Sequence, residues 1–101
     1  MNNLLISCET ESPEQNEGVM QAIRSLGNCV KINESFWYVR SAKSAADALT
    51  IVSKAYGSDN TVCVVDATNE VIALDTAASL EAMGIIRYNW NKKSVGRECV
   101  L

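Results

Sequence analysis

The chain's 101 residues, 48% of them hydrophobic and 21% charged, describe one globular domain with a single core. A chain of this mass buries roughly 65% of its extended surface, enough to fold without metals or disulfides. The absence of histidine excludes Ser-His, Cys-His and His-ligated metal chemistry. A net charge of -3 with no Lys/Arg stripe argues against non-specific binding to duplex nucleic acid.

In chain order, residues 4–8 (Leu-Leu-Ile-Ser-Cys) form a short apolar run closed by Glu9-Thr10-Glu11, which predicts a strand buried on both faces. Ser12-Pro13-Glu14-Gln15 then opens a helix: a hydroxyl at the N-cap, proline at the first helical position and Gln15 placed to complete a capping box. Val19, Met20, Ile23 and Leu26 repeat at helical spacing, and Gly27-Asn28 ends the run. Gly18 weakens the middle of this helix, and its missing side chain would let the helix lie close on a sheet.

Residues 29–33 alternate, with Val30 and Ile32 inward and Lys31 outward, as an edge strand does. Residues 36–40 (Phe-Trp-Tyr-Val-Arg) do not alternate. Joined through Glu34-Ser35, the two runs read as a hairpin. Ser44 caps a second helix, with Asp47 at its third position and Ala48, Leu49, Ile51, Val52 and Ala55 on one face, up to Gly57. Ser58-Asp59-Asn60 leads into a second fully apolar strand over 61–66.

Strand, helix, strand, strand, helix, strand within 70 residues is the ferredoxin-like βαββαβ arrangement of the α+β class: right-handed crossovers put both helices on one face of a four-stranded antiparallel sheet, and the first and third strands are central. Residues 70–101 are a C-terminal extension to that core. Within it, residues 71–74 either lengthen the edge strand or pair with a neighbouring subunit. Asp75-Thr76 can cap a helix over 77–83, and 85–90 reads as either more helix or a fifth strand because Gly84 intervenes.

The strands carry large apolar residues at both parities. If Phe36, Tyr38, Val62 and Val64 face the helices, then Trp37, Val39, Cys63 and Val65, with Leu5 or Ile6, face the other way. A bare patch of that kind would exceed what soluble monomers expose. Two covers are available: a second copy packed sheet against sheet in a two-fold dimer, whose interface would hold Trp37, Val39, Cys63 and Val65, or the segment 69–90 folded back over the sheet.

Candidate chemistry rests on carboxylates. Glu9 follows the first central strand at the rim of the sheet; in a two-fold dimer, two copies could share a magnesium ion for phosphodiester cleavage, with Glu11 and Asp66 as further ligands. The plainer reading places Glu9 as a helix-dipole residue and Asp66 in a turn. Phe36, Trp37, Tyr38 and Trp90 could stack bases, but consecutive strand aromatics more often serve the core. Of the cysteines at 8, 29, 63 and 99, no two form a C-x-x-C pair; the first three read as small buried hydrophobes and Cys99 as exposed. Lys92, Lys93 and Arg97 give the C-terminal end a basic character opposite to the acidic stretch from Glu9 to Glu17. No run approaches the ~18 apolar residues of a membrane span, and the first seven residues lack the form of a secretory signal, so the chain reads as cytoplasmic without a membrane partner.

Residues 5–9 (Leu-Ile-Ser-Cys-Glu), 22–28 (Ala-Ile-Arg-Ser-Leu-Gly-Asn), 32–39 (Ile-Asn-Glu-Ser-Phe-Trp-Tyr-Val) and 62–69 (Val-Cys-Val-Val-Asp-Ala-Thr-Asn) together resemble the stand-alone SinR-like relatives of the small CRISPR-associated, endoribonuclease-like adaptation subunit. The resemblance implies a ferredoxin-like fold and a two-fold homodimer. Where active members of the family end the first strand with aspartate, this chain has Glu9. The resulting expectation is a non-enzymatic oligomeric protein with no cofactor that binds a small nucleotide or a protein partner. The alternative is a magnesium-dependent nuclease with paired Glu9 at the dimer junction.

Overall fold

The computed structural model describes residues 1–10, 12–57, 61–70 and 80–90. Its elements run β1 (Asn2–Cys8), α1 (Pro13–Leu26), β2 (Gly27–Asn33), β3 (Phe36–Ser41), α2 (Ala45–Tyr56), β4 (Val62–Asp66) and α3 (Leu80–Asn89). All strand pairs are antiparallel and their order is β2-β3-β1-β4. The fold is therefore α+β and ferredoxin-like, with β1 and β3 in the centre.

Local chemistry explains the ends of the helices. Ser12 and Ser44 both sit in extended backbone, and their hydroxyls accept from the amides of Gln15 and Asp47, each at 3.1 Å, which satisfies one orphan donor per helix. Gln15 also reaches out of its own helix: its Nε2 donates to the Tyr56 carbonyl at 2.9 Å, tying the start of α1 to the end of α2. Gly18 faces α2 rather than the sheet, because a Cβ there would stand 3.8 Å from the Ala55 carbonyl oxygen. At the other end of α1, no linker intervenes. Gly27 closes the helix through its N–H to the Arg24 carbonyl and is already the first residue of β2, two residues earlier than alternation alone places the strand.

The main core lies between the sheet and the α1/α2 layer. Leu4, Ile6 and Cys8 of β1 meet Val19, Ile23 and Leu26 of α1 and Ala48, Val52 and Tyr56 of α2. Register decides which β3 residues join them. Ile6 pairs with Trp37 on one side and Val64 on the other, so these three share the helix face; Leu5 pairs with Tyr38 and Val65, which share the opposite face. The expectation that grouped Tyr38 with Val64 is therefore displaced by one residue in β3. Trp37 and Val39 belong to the helix-side core and are not available to an interface. A two-residue periodicity fixes alternation within a strand, but only the cross-strand register fixes its phase.

The second face is partly covered by the chain itself. Helix α3 runs through Gly84 to Asn89, so residues 85–89 are helical and not a fifth strand; residues 71–79, which include the start expected for this helix, lie outside the described residues. Ile86 and Trp90 pack on Tyr38 and Ala67, with Leu5, Val30 and Ile32 alongside. Val30 and Ile32 thus point inward as their alternation implies, but toward α3 rather than toward α1 and α2. Among the described residues, no helix is long and apolar enough to cross a membrane.

Candidate functional site

Beneath the end of α3 lies a polar clasp. Asn3, fully buried in the first strand, accepts at Oδ1 from the Tyr38 hydroxyl at 2.7 Å and from Arg40 Nη1 at 3.0 Å. Arg40 also donates to the carbonyl of Asn89, where the negative end of the α3 dipole stabilises a cation. Trp90 stacks on Tyr38 with ring centroids 5.6 Å apart and donates through Nε1 to the Glu70 carbonyl at 2.7 Å. Burial pushes the Tyr38 phenol above its ordinary value, against the opposing effect of Arg40. The clasp holds α3 over the β2/β3 half of the sheet. Its sequence signals, an asparagine opening an apolar strand and an arginine closing an aromatic one, are visible only once their pairing is known.

The β4 half is different. Cys63 is exposed and Val65 retains 50% of its surface; both lie on the face that α3 covers elsewhere. Cys63 therefore departs from the buried-thiol expectation, because it sits on an edge strand facing away from the main core. Cys8 does lie in that core, and burial pushes its thiol upward. Val62 to Val65 contain no charge and no proline, and their register on β1 is unbroken. The opposite edge, β2, carries Lys31 and a register shift between Lys31 and Asn33. Charge and irregularity are the devices by which edge strands avoid pairing with other chains. The β2 edge has both, whereas β4 has an unbroken register and carries charge only at its last residue, Asp66.

Among the described residues, Glu9 and Asp66 are not brought together into a centre. Glu9 lines a cleft of about 270 Å³ with Thr10, Glu34 and Ser35, beside the β2–β3 turn that Cys8 holds through its N–H to the Ser35 carbonyl at 2.9 Å. Asp66 pairs with Leu4 at the other end of β1, five residues from Glu9. At ~3.3 Å per strand residue the two are roughly 17 Å apart, far beyond the ~2.1 Å reach of a shared magnesium ligand. Asp66 instead accepts from the Thr68 amide at 3.0 Å and from the Thr68 hydroxyl, the turn role its position suggested. Glu11 and Cys99 lie outside the described residues. Among the described residues, no group of three or more His, Cys, Asp or Glu is placed to hold a metal ion.

A groove that the sequence did not announce follows the outer side of β2. Its volume is about 300 Å³; Cys29, Val30 and Trp37 form its floor, with Met20 and Arg24 of α1 on one wall and Ile85 of α3 on the other. Lys31 lies over the Trp37 ring at 5.4 Å. Burial pushes the Cys29 thiol up, while the Arg24 guanidinium works in the opposite direction.

No known family model, curated protein or solved structure matches this chain.

Proposed function

We propose that this is a non-enzymatic, cytoplasmic binding protein of the SinR-like type that works as a two-fold homodimer, with β4 of each copy at the junction. The supporting observation is the contrast between the edges: β4 offers four uncharged residues, an uninterrupted ladder and the exposed side chains of Cys63 and Val65, while β2 is guarded by Lys31 and a register shift. Two β4 strands paired antiparallel about a two-fold axis would join the two sheets and remove both unguarded edges. Of the expected interface residues, Cys63 and Val65 fit this junction, whereas Trp37 and Val39 are held in the core of each copy. A protein ligand suits the surface better than a small nucleotide, because three of the four candidate stacking residues, Trp37, Tyr38 and Trp90, are buried and only Phe36 is partly exposed.

This junction and the nuclease alternative exclude each other. Two-fold pairing at β4 sends the two Glu9 side chains to opposite ends of the joined sheet, roughly 20 Å or more apart by strand rise and spacing. Sedimentation velocity over a range of concentrations tests the reading: the wild type sediments as a dimer, and Val65→Arg, an exposed change, shifts it to monomer while the circular dichroism spectrum stays the same. A wild-type monomer at high concentration, or an unaltered dimer in the variant, refutes it. Incubation with single- and double-stranded RNA and DNA in magnesium or manganese gives no cleavage; cleavage that Glu9→Gln abolishes would establish the alternative.

A further inference from the structure

We infer that the groove beside β2 is a docking site for an extended acidic peptide segment, which adds to the sheet as an antiparallel strand. The proposal is independent of the β4 junction, which lies at the other edge of the sheet. Four observations converge on it.

First, β2 is the outermost strand, so every second residue turns its N–H and C=O away from β3 and toward the groove. An added strand would satisfy these groups. Second, the groove is a slot between two walls, Met20 and Arg24 of α1 on one side and Ile85 of α3 on the other. An extended peptide between them would send alternate side chains to alternate walls. Third, the walls differ in chemistry. The α1 side carries two cations, the exposed Arg24 and Lys31, the latter sharing the helix face with Trp37; the α3 side presents Val30 and Ile85. Among the described residues, no carboxylate lines the groove. Lys31 does contact Glu34 at 3.2 Å, but the Glu34 side chain is 97% exposed, and a pair with so solvated a carboxylate is weak enough for another carboxylate to replace it. Fourth, Trp37 is only 4% exposed and Lys31 stands over its ring, so the groove offers no face on which a base could stack. A peptide fits where a nucleotide does not.

The expected ligand therefore has Asp or Glu at the positions facing α1 and Val, Ile or Leu at those facing α3, over a short stretch limited by the register shift after Lys31. The same two cations that repel a second copy of β2 attract this strand, which gives the edge selectivity through charge.

Selection of a displayed library of random octapeptides on the full-length protein tests the inference. Enrichment of alternating acidic and aliphatic residues is the expected result, and the Arg24→Glu, Lys31→Glu double variant should enrich Lys or Arg at the acidic positions instead. For a synthetic peptide of the selected sequence, charge reversal of the protein should weaken binding at least tenfold. Methylation of the backbone amides on one edge of the peptide should do the same, as measured by the change in tryptophan fluorescence. Arg24 is exposed and Lys31 half-buried over Trp37, and an unchanged urea midpoint will show that the fold is retained. No enrichment over the bare support, a consensus without alternation, an acidic consensus that survives charge reversal, or indifference to amide methylation would each overturn the proposal.

Discussion

Gly27→Ala tests a backbone approach too close to admit a side chain. Gly27 has φ 153° and ψ -159°, a region that is essentially restricted to glycine and costs another residue of order 1–3 kcal/mol. Strain is only part of the effect. A Cβ at this position would stand 2.0 Å from the Arg40 carbonyl oxygen and 3.1 Å from its carbon; because both are backbone atoms of the neighbouring strand, no side-chain rotation relieves the clash. The first β2–β3 pair, Gly27 with Ser41, must open, with loss of ladder hydrogen bonds worth about 1 kcal/mol each. The expected loss is about 3–4 kcal/mol, a large part of the 5–15 kcal/mol typical of such domains. For a chain of this length that corresponds to a fall in Tm of at least about 12 °C. Gly57→Ala is the matched control, since its φ is 101° but a Cβ there meets nothing within 4 Å, so it should lose only the strain component. Urea unfolding of both variants gives the comparison. Equal losses, or a loss below about 1 kcal/mol for Gly27→Ala, would show that the α1–β2 corner is not the rigid point described.

Gly18→Ala and Gly84→Ala should each stabilise the protein by about 0.5–1 kcal/mol in the same assay, because both glycines lie within helices and an added Cβ finds 3.8 Å or more of room. Trp90→Ala should free α3 from the sheet, seen as faster amide exchange across Leu80–Asn89 and increased binding of an apolar dye to the face formed by Tyr38, Val30 and Ile32; retention of exchange protection would refute the clasp. Stability should fall as pH rises above about 9: burial raises the pKa of Cys8, Cys29 and Tyr38 above their ordinary 9.0, 9.0 and 10.0, so the folded state holds protons that the unfolded state has released, and the stabilisation present below those values disappears as pH passes through the folded ones. Cys8→Ala should flatten that alkaline slope even though it lowers stability at pH 7. Alkylation followed by mass mapping should label Cys63 at least tenfold faster than Cys8 in the monomeric Val65→Arg variant, with Cys63 becoming protected in the wild-type dimer.

Much of this fold is legible because local chemistry and global topology agree. Ser12-Pro13 and Ser44 announce helix starts that form where expected, and the order of elements leaves few alternatives to a β2-β3-β1-β4 sheet. What escaped the sequence depends on phase and on distant pairing. The parity of β3 is set by the pairing of Ile6 with Trp37, not by anything within residues 36–41. Continuation of α3 through Gly84 reflects tertiary burial of Ile86 and Trp90 overriding a weak local propensity. The candidate sites show the same limit. Glu9 and Asp66 look alike as strand-terminal acids, yet antiparallel pairing puts them at opposite ends of the sheet, while Arg24 and Lys31 converge from separate elements that no motif connects.

The central strand β1 comes well before its outer partner β4 in chain order, and this gives the molecule a waiting time. Completion of β1 needs the last residues of the core: Asn3 donates its N–H to the Thr68 hydroxyl at 3.1 Å and accepts from the Ala67 amide at 2.8 Å. At translation rates of about 5–20 residues per second, its outer partner follows by several seconds. During that interval the nascent chain carries Leu4, Leu5 and Ile6 with one side of their strand unsatisfied, an apolar unpaired edge of the kind that exposes a folding chain to aggregation.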